Sequence, residues 1–368
     1  MKRIATTILR AMLAFGAGLA SACNLMNPCP TVAYAAGSVH SVTVAVAESV
    51  LAGPRATGPL VACFRLTAQP TYEMIDQPDA EVALAERLVA DAAIVAVVGH
   101  TRSRGSLAAA PVYARAGMPQ IVPGGTSSEL RRVGPWTFVL SPTDLEEAAY
   151  LAQTVDSLHA RRVMLFYSGE TYGEGLAAAL RPDLERRGIG VVDEVRLGTG
   201  ADVATLVEAA MRRHPANVLL LLVDYSQAAV IARTVVPLAP RTRMIAADGS
   251  DYPAGLRHLG GAAAESLWVV TLWRPDTTDA VTRDFFGHFR QVAGRDPTSQ
   301  EALGFDALLY ARAAITAVGP DRRAIRTWLA GPGGATPPAG HVTTATLHDG
   351  PPPAFGIGRI GPPTPASP

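Results

Sequence analysis

The sequence predicts an α/β protein built on parallel sheets, and three observations predict it. From Arg162 onward, short apolar runs alternate with amphipathic stretches: strands at Val163–Tyr167, Gly190–Val195, Val218–Val223 and Arg243–Ala247 are separated by helical patterns at Gly173–Arg187, Asp202–His214 and Ser226–Val235. Regular alternation of this kind places helices on both faces of a parallel sheet. The segment Val98–Leu130 repeats the pattern: an apolar run, Ile94–Val98, stops at Gly99, a polar loop follows, and an alanine-rich helix reaches Gly117 before a second short strand, Pro119–Val122. Third, 368 residues at 48% hydrophobic are enough for two ordinary cores.

Each element follows in chain order. Lys2, Arg3 and Arg10 precede an apolar segment, Ala11–Ala20, that is too short to span a bilayer, so residues 1–22 read as a signal peptide and the mature protein as exported. Cys23 follows Ala20-Ser21-Ala22, which suits either lipidation or ordinary cleavage, and Ala33-Tyr34-Ala35 offers a later cleavage site. No other apolar run is long enough for a transmembrane helix, which leaves the lipid as the membrane contact. Ser41–Ala47 alternates into a first strand and Leu60–Leu66 reads as a second, with Glu48–Pro59 between them too short and too rich in breakers for a helix. In Asp79–Ala92, Val82, Ala85, Leu88 and Val89 fall at helical spacing.

Thr137–Leu140 is a further strand, and Thr143 with Glu146 forms a capping box opening a helix over Asp144–Leu158. Pro182 should kink or shorten its helix. A strand at Leu267–Leu272 precedes helices Asp279–Ala293, Ser299–Val318 and Arg322–Leu329. His341–Leu347 reads as a closing strand, and beyond Gly350 the Pro/Gly-rich chain reads as a loosely held tail.

Composition excludes several functions. Net charge is +0, so no field exists to attract nucleic acid. The three cysteines, Cys23, Cys29 and Cys63, lack metal spacing; Cys29 and Cys63 either pair or Cys63 is a buried strand residue. Neither a Gly-x-Ser-x-Gly elbow nor a phosphate loop ending in Gly-Lys-Ser/Thr is present, and the histidines are scattered, so the reading is not an enzyme and calls for no cofactor or metal.

Two hydroxyl-bearing loops follow neighbouring strands: Val98-Gly99-His100-Thr101-Arg102-Ser103 and, after a helix containing Tyr113, Pro123-Gly124-Gly125-Thr126. At one sheet edge they would flank the place where open α/β sheets bind small ligands. With Tyr172-Gly173-Glu174-Gly175 and the helix around Gly304-Phe305-Asp306-Ala307, they make the sequence similar to the substrate-binding proteins of ABC transporters for branched-chain amino acids.

That resemblance implies the type I periplasmic-binding fold: two doubly wound parallel-sheet lobes joined by a multi-strand hinge, here with a first lobe lacking the usual first helix. The implied parts are a first lobe over 39–141, a second over 142–273, a return segment over 274–338, a closing strand of the second lobe over 339–350 and a tail over 351–368. Ser103 and Thr126 would bind a ligand carboxylate and the Gly124 carbonyl its ammonium, or Ser103 and Thr126 merely cap helices. In the second lobe, Tyr172 and Tyr225 would be pocket aromatics, and Asp248, where the family most often has Glu, would pair with the ammonium or else cap a helix.

Arg102 and Arg104 either meet an acidic ligand group or point to solvent. His100, directly after a strand, reads as a satisfied structural histidine. The implied function is capture of an amino acid or amide-like molecule by a monomer that closes about its hinge and presents the ligand to a membrane permease. A sensor of the same fold and a non-binding paralogue are the alternatives.

Overall fold

The computed structural model describes residues 30–36, 43, 65–70, 78–348 and 354–361, with the backbone alone at 36 and 65–70. The expected signal peptide, Cys23, Cys29, Cys63 and the last residues of the tail lie outside them.

Two sheets organise the chain. The first takes the spatial order β2-β1-β3-β4-β5, with β1 (Thr31–Ala36), β2 (Arg65–Pro70), β3 (Ile94–Gly99), β4 (Gln120–Val122) and β5 (Thr137–Val139) all parallel. The second runs β11-β10-β9-β8-β6-β7: β6 (Arg162–Ser168), β7 (Gly190–Leu197), β8 (Val218–Leu222), β9 (Arg243–Ala246) and β10 (Leu267–Thr271) are parallel, and β11 (Gly356–Arg359) pairs antiparallel with β10. Each sheet starts in its interior. β1 is flanked by β2 and β3, and β6 by β7 and β8, so each lobe winds out in both directions and opens a crevice at the carboxyl ends of its strands.

Helices cover both faces. Beside the first sheet, α1 (Pro78–Ala90) and α2 (Ser103–Arg115) pack Leu84, Ala85, Leu88, Val112 and Tyr113 against β1 and β3. On its other face lie Phe285 and Phe289 of α8 (Ala280–Ala293) and nearly the whole surface of α9 (Ser299–Val318). The second sheet is covered by α3 (Asp144–Ser157), α4 (Thr171–Arg186), α5 (Val203–Arg213), α6 (Tyr225–Leu238) and α7 (Pro253–Gly260). Capping boxes, Thr143 with Glu146 and Thr298 with Glu301, start α3 and α9. α3 begins just after the first crossing between the lobes, and α9 starts against the second, where Ser299 Oγ accepts the Leu272 N–H at 3.2 Å, so both first turns lie at the hinge.

The structure corrects four expectations. The first strand is Thr31–Ala36, ten residues before the alternating run Ser41–Ala47, and Thr43 within that run is helical and buried. The expected gap in helices between the first two strands rested on that run, and the described residue there is helical. β1 is buried on both faces from Val32 to Ala35, so it shows no alternation. Cleavage after Ala35 would cut it through.

Second, Pro182 sits inside an uninterrupted α4. It is exposed, as is Ala178, whose carbonyl loses the helix bond, so water replaces that bond. Third, residues 341–347 form no strand. Val342 and Leu347 pack on the first-lobe core, and buried Asp306 of α9 accepts the N–H groups of Val342 (2.8 Å) and Thr343 (2.7 Å). Fourth, the closing strand is Gly356–Arg359, inside the expected tail, with Phe355 stacked on Tyr150 at 5.1 Å. The chain thus crosses between lobes after β5, after β10 and between 348 and 354.

A short distance fixes where α4 starts. A Cβ on Gly173 would fall 2.4 Å from Ser168 Oγ and 2.5 Å from its carbonyl oxygen, so Gly173→Ala must push β6 from the helix. We expect it to lower stability by about 1–3 kcal/mol in urea unfolding. Gly287→Ala in α8 has nothing within 4 Å of the new carbon and should raise it by about 0.5–1 kcal/mol.

Candidate functional site

The carboxyl ends of β3, β4, β6 and β9 face one another across the cleft between the lobes, and α2 of the first lobe touches α4 of the second. On the first-lobe side, Ser103 is buried as the first residue of α2, and its Oγ accepts the Ser127 N–H at 3.1 Å, tying the two polar loops together. It caps no helix: the cap position is Arg102, which makes no side-chain cap bond. At Gly124 a Cβ would meet the Thr101 carbonyl oxygen at 2.9 Å and Gln300 Cδ at 3.5 Å, so only glycine lets that loop reach α9. Thr126 is buried; its carbonyl accepts the Asp144 N–H at 2.8 Å and its hydroxyl hydrogen-bonds the Asp144 carboxyl. Arg102 and Arg104 are half-buried on the first turn of α2.

On the second-lobe side, the Tyr172 hydroxyl donates to Asp248 Oδ1 at 2.6 Å and accepts the Gly249 N–H at 3.0 Å. A Cβ on Gly249 would sit 2.7 Å from the Tyr172 ring, so Asp248 supplies charge and Gly249 the room for the phenol. Asp248 is buried, with its own N–H donating to Glu147 Oε1 at 2.9 Å and its carboxyl bonded to the Gln300 side chain. Tyr225 begins α6, behind the Asp224 side-chain cap, and stands edge-on to Tyr252 at 5.0 Å. Arg295 of the first lobe lies 5.4 Å over that Tyr252 ring and pairs with buried Glu301.

Contacts therefore run from Ser103 through Ser127 and Thr126 to Asp144, which feels the Asp248 charge, and from Tyr172 through Asp248 and Gln300 back to Gly124. Tyr225 belongs to a separate aromatic pair beside them. His100 is buried between Glu81 and the Tyr113 hydroxyl, with both ring nitrogens engaged.

Sequence reasoning missed Asp144, Glu147, Gln300 and Asp251. Asp144 and Glu147 share the stripe of α3 that carries Ala148, Leu151, Ala152 and Val155, and acids on an apolar face were the available signal. Gln300 and Asp251 had none, because only the hinge brings α9 to the end of β9. There Asp251 accepts the Ser299 N–H at 2.9 Å, so a second-lobe carboxyl completes the first turn of a first-lobe helix.

Across the hinge, three first-lobe donors meet three second-lobe acids: Thr126 to Asp144, Gln300 to Asp248 and Ser299 to Asp251. None of these acids, nor Glu147, has an ion-pair partner among the described residues. Burial raises all four. Asp144 is pushed up to about 7 despite its Thr126 bond, with the Asp248 charge adding to the rise, and Asp251 to about 6. Glu147 goes well above its usual range, and the Tyr172 phenol moves up as burial and the acids disfavour its anion. Asp248 also rises by burial, against hydrogen bonding that involves Glu147, Tyr172, Gly249 and Gln300. Such a site is poor in positive charge and suited to receive it. No cluster of metal-binding geometry is found among the described residues.

The profile of the family described as periplasmic binding protein matches residues 72–351. The chain belongs to that family. Among its relatives, an amino acid binding protein of Pseudomonas aeruginosa is 34% identical over 115 residues, 31% of each chain. A Leu/Ile/Val/Thr-binding protein of Salmonella typhimurium is 28% identical over 218 residues, 57% of each chain. The chain thus spans from about a third to somewhat over half the length of these relatives. Its fold is that of a leucine binding protein of Thermotoga maritima, at a TM-score of 0.72 and 23% identity over 81% of this chain and 86% of the other.

The raised acids set a pH dependence. Asp144, Asp251 and Asp306 move from 3.8 to about 7, 6 and 6, so from about pH 4 to 7 the native state holds more protons than the unfolded one. Stability from these groups is present below about pH 4 and lost as pH rises to 7. The urea midpoint at about pH 5 should exceed that at about pH 8, and Asp144→Asn should flatten the upper part of the slope.

Proposed function

We propose that this chain is an extracytoplasmic solute-binding protein that captures an amino acid or related small molecule by closing its lobes and presents it to the membrane permease of an ABC transporter. The observation that carries the reading is the facing pair of surfaces: hydroxyls and loop amides on one lobe, a buried acid without a cation on the other.

A free amino acid carries a carboxylate and an ammonium on one carbon. Ser103 gives its lone pair to the Ser127 amide and keeps its own proton for the carboxylate, while Thr126, its hydroxyl engaged by Asp144, contributes its backbone N–H. Asp248 takes the ammonium, oriented by Tyr172, with the Gly124 carbonyl as the opposing acceptor. Tyr225, through Tyr252, forms a wall beyond them. Half-buried Arg102 and Arg104 stand where a ligand side chain would leave the loop.

Closure couples to binding because half of the contacts come from each lobe, and a ligand shifts the hinge only by what it gains in the closed form. Family membership and the names of the two curated relatives support this reading, of which export, a monomeric protein and delivery to a permease are part.

Calorimetric titration with L-leucine, L-isoleucine, L-valine, L-threonine, L-alanine and L-glutamate tests it. At least one should bind, and silence across the panel would remove the amino-acid reading. Asp248→Asn should weaken the best binder by about 10–100-fold, as loss of a charge-assisted bond of about 1.5–3 kcal/mol implies.

A further inference from the structure

The ligand roles above leave Glu147 unused, and unlike Asp144 and Asp251 it meets no first-lobe donor among the described residues. It is fully buried on α3. Its Oε1 accepts the Asp248 N–H, and no hydrogen-bond donor reaches its Oε2 among the described residues. Its carboxyl is thus pinned against Asp248 with no cation beside it among the described residues. Two buried acids held this close without a cation do not both ionise, so the pair holds a proton. The other groups around Asp248 do not neutralise the pair: Tyr172 from α4 and Gln300 from α9 are neutral donors, and Asp144 and Asp251 are further acids. The nearby Arg295 is engaged by Glu301. Tyr172 donates to Asp248 while no donor among the described residues reaches Glu147 Oε2, so the proton resides on Glu147.

We propose that Glu147 is a specificity-determining residue: before ligand arrives it shares a proton with Asp248, and the ligand's ammonium displaces that proton. The exchange balances, since one positive charge enters as the ammonium and one proton leaves to solvent. Binding of a cationic amine is therefore linked to proton release, and affinity rises with pH by up to about tenfold per unit where the pair holds its proton. The matching 2-hydroxy acid, with the same carboxylate but a neutral hydroxyl in place of the ammonium, leaves the proton in place. This rests on the amino-acid reading of the cleft.

Two measurements on the full protein test it. The infrared spectrum at neutral pH should contain a protonated-carboxyl band that Glu147→Gln removes; a wild-type spectrum without it overturns the proposal. The best binder of the amino-acid panel is then titrated calorimetrically in phosphate and in Tris. The difference in heats should report release of up to about one proton per ligand, lost in Glu147→Gln and with the 2-hydroxy acid analogue. A binding amino acid that gives equal heats in both buffers overturns the proposal while the amino-acid reading stands; silence across the panel overturns both.

Discussion

A carboxyl group buried at the boundary between two lobes is the constraint around which the rest is arranged. Asp248 at the end of β9 has lost most of its water, and only oriented donors can keep a charge there. Tyr172 and Gln300 supply them from elements far apart in the chain, beside the adjacent Gly249 amide. Each supplier has a local requirement behind it. Gly173 lets α4 start against β6, which sets Tyr172, and the Thr298–Glu301 box starts α9, which sets Ser299 and Gln300.

The same logic joins the lobes. The side chains of Asp144, Asp248 and Asp251 meet first-lobe donors across the hinge, so parting the lobes would rehydrate the acids. Because burial raises these acids, the closed arrangement binds protons more tightly than a hydrated one would. Lobe position and protonation thereby become linked quantities, and under the proposed function the arrival of a cation joins them.

Much of this was legible in the residues. The alternation from Arg162 gave the second sheet nearly strand for strand, because each buried strand is a continuous apolar run and each helix carries its own stripe. The paired loops at Ser103 and Thr126 do meet, and Tyr172 does reach Asp248. β1 was missed because Ala33 and Ala35, small and flanked on both sides by other strands, carry neither alternation nor strong strand preference. β11 was missed because Gly356 and Gly358 look like a breaker-rich tail, and the strand forms only by pairing with the free edge of β10.

By itself the sequence determined what local patterning can encode: parallel α/β architecture, the helix starts at Thr143 and Thr298, and the loops that carry hydroxyls and amides. Only the tertiary structure decided which acids matter. Asp144 and Glu147 leave only the mark of acids on an apolar stripe, and Asp251 and Gln300 leave none, until the hinge folds α3 and α9 against the end of β9. Burial and proximity there come from contacts between residues about a hundred positions apart, as with Glu147 and Asp248, and no spacing along the chain records them.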